Sequence, residues 1–173
     1  SGYKTTPANP AVLSQELREG TAKNGQSPLA VIVCCSDSRV PPEHIFHAGI
    51  GELFIIRNAG NLISDFALGS VEYAVEHLET PLVVVMGHTG CGAVGTALTP
   101  AQEKGGLATI LAEIRDAIAG ESDPHQAVRK NTLHALATLG HSPILKELHQ
   151  AGKVEFAAAI YDIHSGHVDF LQD

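Results

Sequence analysis

Three short apolar runs constrain the fold of this chain more than any other feature. Leu29-Ala30-Val31-Ile32-Val33-Cys34, Leu53-Phe54-Ile55-Ile56 and Leu82-Val83-Val84-Val85-Met86 are unbroken and rich in β-branched residues. A strand with one wet face alternates apolar with polar residues. These runs do not alternate, so they read as strands buried on both faces, which requires a sheet covered by helices on each side. Val154 to Tyr161 reads as a fourth strand, although its alanines favour helix. Between the runs the period becomes helical: Phe66, Gly69, Ser70, Tyr73, Ala74 and His77 recur at three- and four-residue spacing, as do the apolar residues of Leu107–Ala119 and Ala127–Leu139. Strands alternating with helices predict an α/β fold, a central, mostly parallel β-sheet flanked by helices. Asp123-Pro124 and Ser142-Pro143 mark helix entrances, where a capping side chain precedes a proline whose missing N–H costs nothing. Ser165-Gly166, before an alternating run, predicts a hairpin edge within Asp162–Phe170.

At 173 residues the chain is the size of one domain that buries roughly two-thirds of its unfolded surface. No linker or repeat divides it, so residues 1–173 read as a single domain with 1–28 as an amino-terminal arm, of which Lys4 to Pro10 is the loosest part. Ser1-Gly2 is compatible with a cloning remnant and with a longer parent protein. The net charge of -8 argues against nucleic acid as a partner. The apolar runs are too short to span a bilayer, and no signal-peptide pattern opens the chain, which therefore reads as a cytoplasmic protein with no membrane partner. Three cysteines, two of them adjacent, argue against a disulfide framework and for a reducing compartment or a metal.

Cys35 and His88 each lie at or just past the end of a predicted strand, where open α/β sheets place their ligand crevices. Cys91 follows His88 with the two-residue gap that lets one tight turn present two ligands to one ion. Two thiolates and an imidazole fill three corners of a tetrahedral zinc site and leave the fourth open, the pattern of a catalytic metal. Each cysteine alone is as well explained as a small buried hydrophobe, which suits Cys34. Asp37 and Arg39, two apart on an extended segment, point to one side and form a charge-assisted pair. That pair is either a structural salt bridge or, two residues from a ligand, a group that binds the metal or accepts a proton from its water. The other histidines read as surface or half-buried residues, His47 standing nearest the site in sequence. A rival reading exists: Gly90-Cys91-Gly92-Ala93-Val94-Gly95 matches the G-x-G-x-x-G dinucleotide fingerprint. It lacks the strand ending in an acid about 20 residues on that would bind a ribose.

Four ordered blocks carry a resemblance. Cys35-Ser-Asp37-Ser-Arg39-Val-Pro-Pro, Ile55-Ile-Arg57-Asn58-Ala-Gly60-Asn61, Gly69-Ser-Val-Glu-Tyr73-Ala74 and Gly87-His88-Thr-Gly-Cys91-Gly92-Ala93-Val94 resemble the signature blocks of β-class carbonic anhydrases. The likeness runs on through Ser142-Pro143-Ile144-Leu145 and Tyr161-Asp-Ile-His-Ser-Gly166-His-Val168. It implies a zinc enzyme, with one Zn2+ per chain, that interconverts carbon dioxide and bicarbonate as a homodimer or tetramer. By the same match Cys35, His88 and Cys91 hold the metal, Asp37 and Arg39 form the catalytic dyad that orients a zinc-bound hydroxide, and Gly92 lends a backbone N–H to the substrate. Val40 and Tyr73 are candidates for an apolar substrate pocket. Two thiolates make the bound water less acidic than three imidazoles would, so activity rises toward alkaline pH. The family also has a closed form in which the aspartate leaves its arginine for the metal.

Three positions depart from the family's pattern. Gly49 stands where plant-like members carry a substrate-holding glutamine, and Ile32 where members with a bicarbonate inhibitory site carry tryptophan, although Arg57 matches that site's arginine. The arm before the first strand is short. Two other function classes use the same residues: a closed, structural zinc module, and a hydrolase of a related cumulated substrate such as carbon disulfide.

Overall fold

The computed structural model describes residues 14–100 and 102–171, so the stretch expected to be loose, Lys4 to Pro10, lies outside the described residues. The four apolar runs are strands: β1 (Ala30–Cys35), β2 (Leu53–Asn58), β3 (Leu82–His88) and β4 (Glu155–Tyr161), with β5 (Val168–Phe170) closing the predicted hairpin. They form one sheet in the order β2-β1-β3-β4-β5, parallel except for the antiparallel β4–β5 pair. All six residues of β1 are buried, as an unbroken apolar run at the centre of a covered sheet requires.

Seven helices surround the sheet among the described residues: α1 (Gln15–Asn24), α2 (Pro42–Ile45), α3 (Asp65–His77), α4 (Gly92–Ala97), α5 (Gly106–Ala117), α6 (Pro124–Leu139) and α7 (Pro143–Gln150). Both predicted entrances are capped. Asp123 accepts from the Gln126 N–H at 2.8 Å and Ser142 from the Leu145 N–H at 3.2 Å. The Ser142 hydroxyl also donates to Glu72 at 2.6 Å, which ties α7 to α3. α1, α2 and the extent of α4 escaped the pattern, being too short or too polar for a clear period. α3 lies where its period predicts, but it buries Ala67, Val71, Ala74 and Val75. Phe66 and Tyr73 lie off that face, 90% and 47% exposed.

Strand alternation sorts the core. Val31, Val33, Val83 and Val85 meet α3, α7 and the end of α6, whereas Ile32, Cys34, Val84 and Met86 form the opposite layer with Val40 and Tyr161. A third cluster, of Cys35, Cys91, Leu62, Val94, Leu111, Ile114 and Ala127, caps the carboxyl end of the strands beneath α4, α5 and α6. After β1 the chain places β2 on one side and β3 on the other, so β1 and β3 flank the topological switch point, where such sheets open a crevice.

Candidate metal centre

Cys35 is the last residue of β1, His88 the last of β3, and the two strands are hydrogen-bonded neighbours. Gly90, at φ +65°, turns the chain so that Cys91, at the N-cap of α4, comes back beside His88. The donor atoms of Cys35, His88 and Cys91 lie within 4.8 Å of one another, and all three residues are buried. A tetrahedral zinc with sulfur and nitrogen ligands spaces its donors about 3.5–3.8 Å apart. The trio is thus close to the spacing required.

The chemistry of the donors fits zinc as well as their spacing does. His88 Nδ1 is 3.0 Å from the Thr89 carbonyl oxygen, which can only accept, so that nitrogen carries the proton and Nε2 presents a lone pair. Nε2 is buried beside Cys35 with no hydrogen-bond partner of acceptable geometry. Hydrogen bonding from the Cys91 thiol, with the N–H groups of Gly60 and Asp37, outweighs burial and lowers the Cys35 pKa to about 4. The same bond, followed by burial, raises that of Cys91. Of the two thiols, Cys35 is the one its surroundings favour as thiolate, the form in which cysteine ligates a soft metal.

Asp37 stands at the edge of the trio, its Oδ2 3.9 Å from His88 Nε2. Arg39 grips it twice: Nε donates to Oδ1 at 2.9 Å and Nη2 to Oδ2 at 2.7 Å, and the Arg39 backbone N–H adds a third bond to Oδ1 at 2.9 Å. These bonds hold the carboxyl well below the usual carboxylate range. Arg39 Nη2 also donates to the Gly90 carbonyl at 3.2 Å, which links the Asp37–Arg39 pair to the turn bearing His88 and Cys91. The structure thus has the aspartate on its arginine, not released toward the trio.

The remaining expected site residues separate. Gly92 opens α4 and is exposed. Val40 is fully buried in one cluster with Ile32, Cys34 and Met86. Tyr73 stacks on Phe54 and His77, with ring centroids 6.2 and 5.5 Å away. Phe54 pairs with Val31, four residues before Cys35, which puts Tyr73 about 13 Å along the sheet from the trio of its own chain. His47 sits exposed at φ 54°, outside the trio. Arg57 donates to the carbonyls of Cys35 at 3.1 Å and Asp37 at 2.8 Å, bracing the loop between ligand and dyad. That role, like the Gly60 N–H on Cys35, was not legible in the spacing. As for the glycine-rich rival, among the described residues α4 leads into α5 and α6 with no intervening strand to bring an acid to a ribose.

A family model described as carbonic anhydrase matches residues 30–168. The chain is 36% identical to a carbonic anhydrase of Pseudomonas aeruginosa over 163 residues, covering 84% of this chain and 74% of that one. It is 53% identical over 85 residues to carbonic anhydrase 2 of Mycobacterium tuberculosis, a stretch spanning 49% of this chain and 41% of the relative. Among solved structures it superposes on a tetrameric β-carbonic anhydrase of Sordaria macrospora with a TM-score of 0.82 at 26% identity, covering 91% and 87% of the two chains. The β-carbonic anhydrase CafA of Aspergillus fumigatus gives 0.78 at 32% identity, covering 92% and 83%.

Proposed function

Because the chain belongs to the β-class carbonic anhydrase family, we propose that it hydrates carbon dioxide reversibly to bicarbonate and a proton at a zinc ion held by Cys35, His88 and Cys91. One observation carries the reading: three buried soft donors converge within 4.8 Å beside a carboxylate that is locked onto a guanidinium. Bound there, zinc supplies the Lewis acidity that makes water a nucleophile near neutral pH, behaviour best known from carbonic anhydrases of the three-histidine type.

The chain's own groups do the rest. Asp37 stays ionised because Arg39 holds it, so it accepts a hydrogen bond from the attacking water without keeping the proton, and turns a lone pair toward the substrate. Arg39 fixes the carboxylate against the ligand turn through Gly90. Carbon dioxide is small and neutral, and asks for little more than the space beside this dyad, with the exposed Gly92 at its rim.

Homodimeric or tetrameric assembly belongs to the same proposal. It is supported by the tetrameric relative and by the exposed rings of Phe66, Tyr73 and Phe170. A cytoplasmic location is supported by three free cysteines, two of them proposed ligands. No described helix is long and apolar enough to cross a membrane.

The test pairs zinc determination with stopped-flow carbon dioxide hydration at two pH values. The expected result is one zinc per chain and turnover that rises with pH. Asp37→Ala and Arg39→Ala should keep zinc and lose roughly 100-fold or more in kcat, the scale of a misplaced reacting group. Tight zinc with no hydration would mark a structural site, and loss of zinc from folded Asp37→Ala would make Asp37 an obligatory ligand.

A further inference from the structure

Gly60 connects the metal centre to a helix that supplies no ligand. Its N–H donates to Cys35 Sγ at 3.4 Å, and its carbonyl accepts from Asn131 Nδ2 at 2.8 Å. Asn131 lies within α6 and is 1% exposed. The loop it reaches is closed at both ends by Asn58, whose Oδ1 accepts from the Leu62 N–H and whose Nδ2 donates to the Leu62 carbonyl, each at 2.7 Å. Gly60 adopts φ +79°, and a Cβ there would stand 2.8 Å from Ile114 Cδ1. The loop's ends are thus held by Asn58, while its Gly60 carbonyl is held by α6.

Packing alone does not account for the amide. Asn131 falls in the apolar stripe of α6, with Ala127, Val128, Ala135 and Leu139, and its Oδ1 is buried with no partner. Leucine would fill that space and leave no oxygen unpaired. What leucine lacks is a donor for the Gly60 carbonyl.

We propose that Asn131 is a positioning residue of the metal centre: by anchoring the Gly60 carbonyl it aims the Gly60 N–H at the Cys35 sulfur, and so fixes the direction and charge density of that ligand. This rests on reading the trio as a metal site. An N–H donor withdraws charge from a thiolate, and partners outside the ligand set tune a metal centre in this way.

The experiment uses the full chain loaded with 113Cd2+ or Co2+. The expected result for the wild-type protein is a scalar coupling from 113Cd through the Cys35 sulfur to the Gly60 amide proton. Asn131→Asp keeps the shape but turns an acceptor on the Gly60 carbonyl. It should abolish the coupling, move the thiolate-to-cobalt charge-transfer band to lower energy, and speed zinc release to a chelator about 10-fold. Asn131→Ser, too short to reach Gly60, serves where the Asp variant does not fold. Leu139→Ala weakens the same helix away from the loop and should leave all three readouts unchanged. A cadmium ion on two thiolates with no coupling to Gly60 in the wild-type protein overturns the proposal while the metal reading stands. Equal effects of the Asn131 and Leu139 variants overturn it too. A cadmium resonance without sulfur ligation overturns both.

Discussion

Gly87 lies where β3 packs against Thr132 of α6, and replacing it tests the packing that carries His88. A Cβ at this position would overlap Thr132 Oγ1 and stand 3.0 Å from Ile160 Cδ1 and 3.4 Å from Thr132 Cβ. The tip of Ile160 can rotate away. Thr132 has less freedom, because it is fully buried and its hydroxyl donates to the Val128 carbonyl at 2.8 Å. The shortfall against ordinary contact exceeds what one side chain gives, so α6 must retreat or Thr132 must change rotamer. Overpacking of this kind costs about 1–3 kcal/mol. In a chain of this length each kcal/mol lowers the melting temperature by about 2–4 °C, so Gly87→Ala should melt roughly 2–12 °C below wild type. Thr132→Ala alone loses a buried methyl and a hydrogen bond, about 1–2 kcal/mol. In the double variant only the contacts at 3.0 and 3.4 Å remain. It should therefore be more stable than the sum of the singles by about 1–2 kcal/mol, a coupling expected only of residues in contact. Thermal and urea unfolding at fixed protein and zinc concentrations measures this, since anything that binds the folded state shifts the midpoint. A Gly87→Ala protein melting within about 1 °C of wild type, or strict additivity, would refute the reasoning.

Arg57→Met removes the guanidinium that holds the Cys35 and Asp37 carbonyls. Zinc content should be unchanged and kcat/KM should fall roughly 10-fold, because the dyad loop loses its brace and not its ligands; unaltered hydration kinetics would show that the loop holds itself. Glu121 accepts from the Asp123 N–H first, then from Lys130 and the Ser122 N–H, which lowers its pKa from 4.5 to about 2. A depressed folded pKa means that its stabilising contribution is complete above pH 4.5 and is lost as pH falls toward 2. Glu121→Gln should therefore flatten the acid side of the stability profile across that window, and an NMR titration placing Glu121 at 4.5 would contradict the assignment.

Much of the fold was legible because its causes are local. A run of β-branched residues is a covered strand whatever follows it, and Asp123-Pro124 or Ser142-Pro143 caps a helix with atoms from its own first turn. The His88 and Cys91 pair is local in the same sense, since one glycine turn joins them. Asn131 did leave a signal, an amide within an apolar helical stripe, but nothing in its neighbourhood names Gly60 as its partner. α3 shows the other limit: periodicity located the helix, whereas the face it buries, Ala67, Val71, Ala74 and Val75, depends on what the folded chain packs against it.

The sequence by itself therefore determined the strands, the capped entrances of α6 and α7, the candidate donor types and the family to which they belong. Only the tertiary structure decided that Cys35 meets His88 and Cys91. That meeting requires β1 and β3 to be neighbours, with β2 sent to the opposite side, and sheet order depends on the burial energy of every layer together. It also decided that Arg39, Arg57, Gly60 and Asn131 converge around the site, through hydrogen bonds between residues far apart in the chain. Local backbone preferences are written in adjacent residues; the orientation of a buried polar group is set by whichever distant partner the packed core brings within 3 Å or so of it.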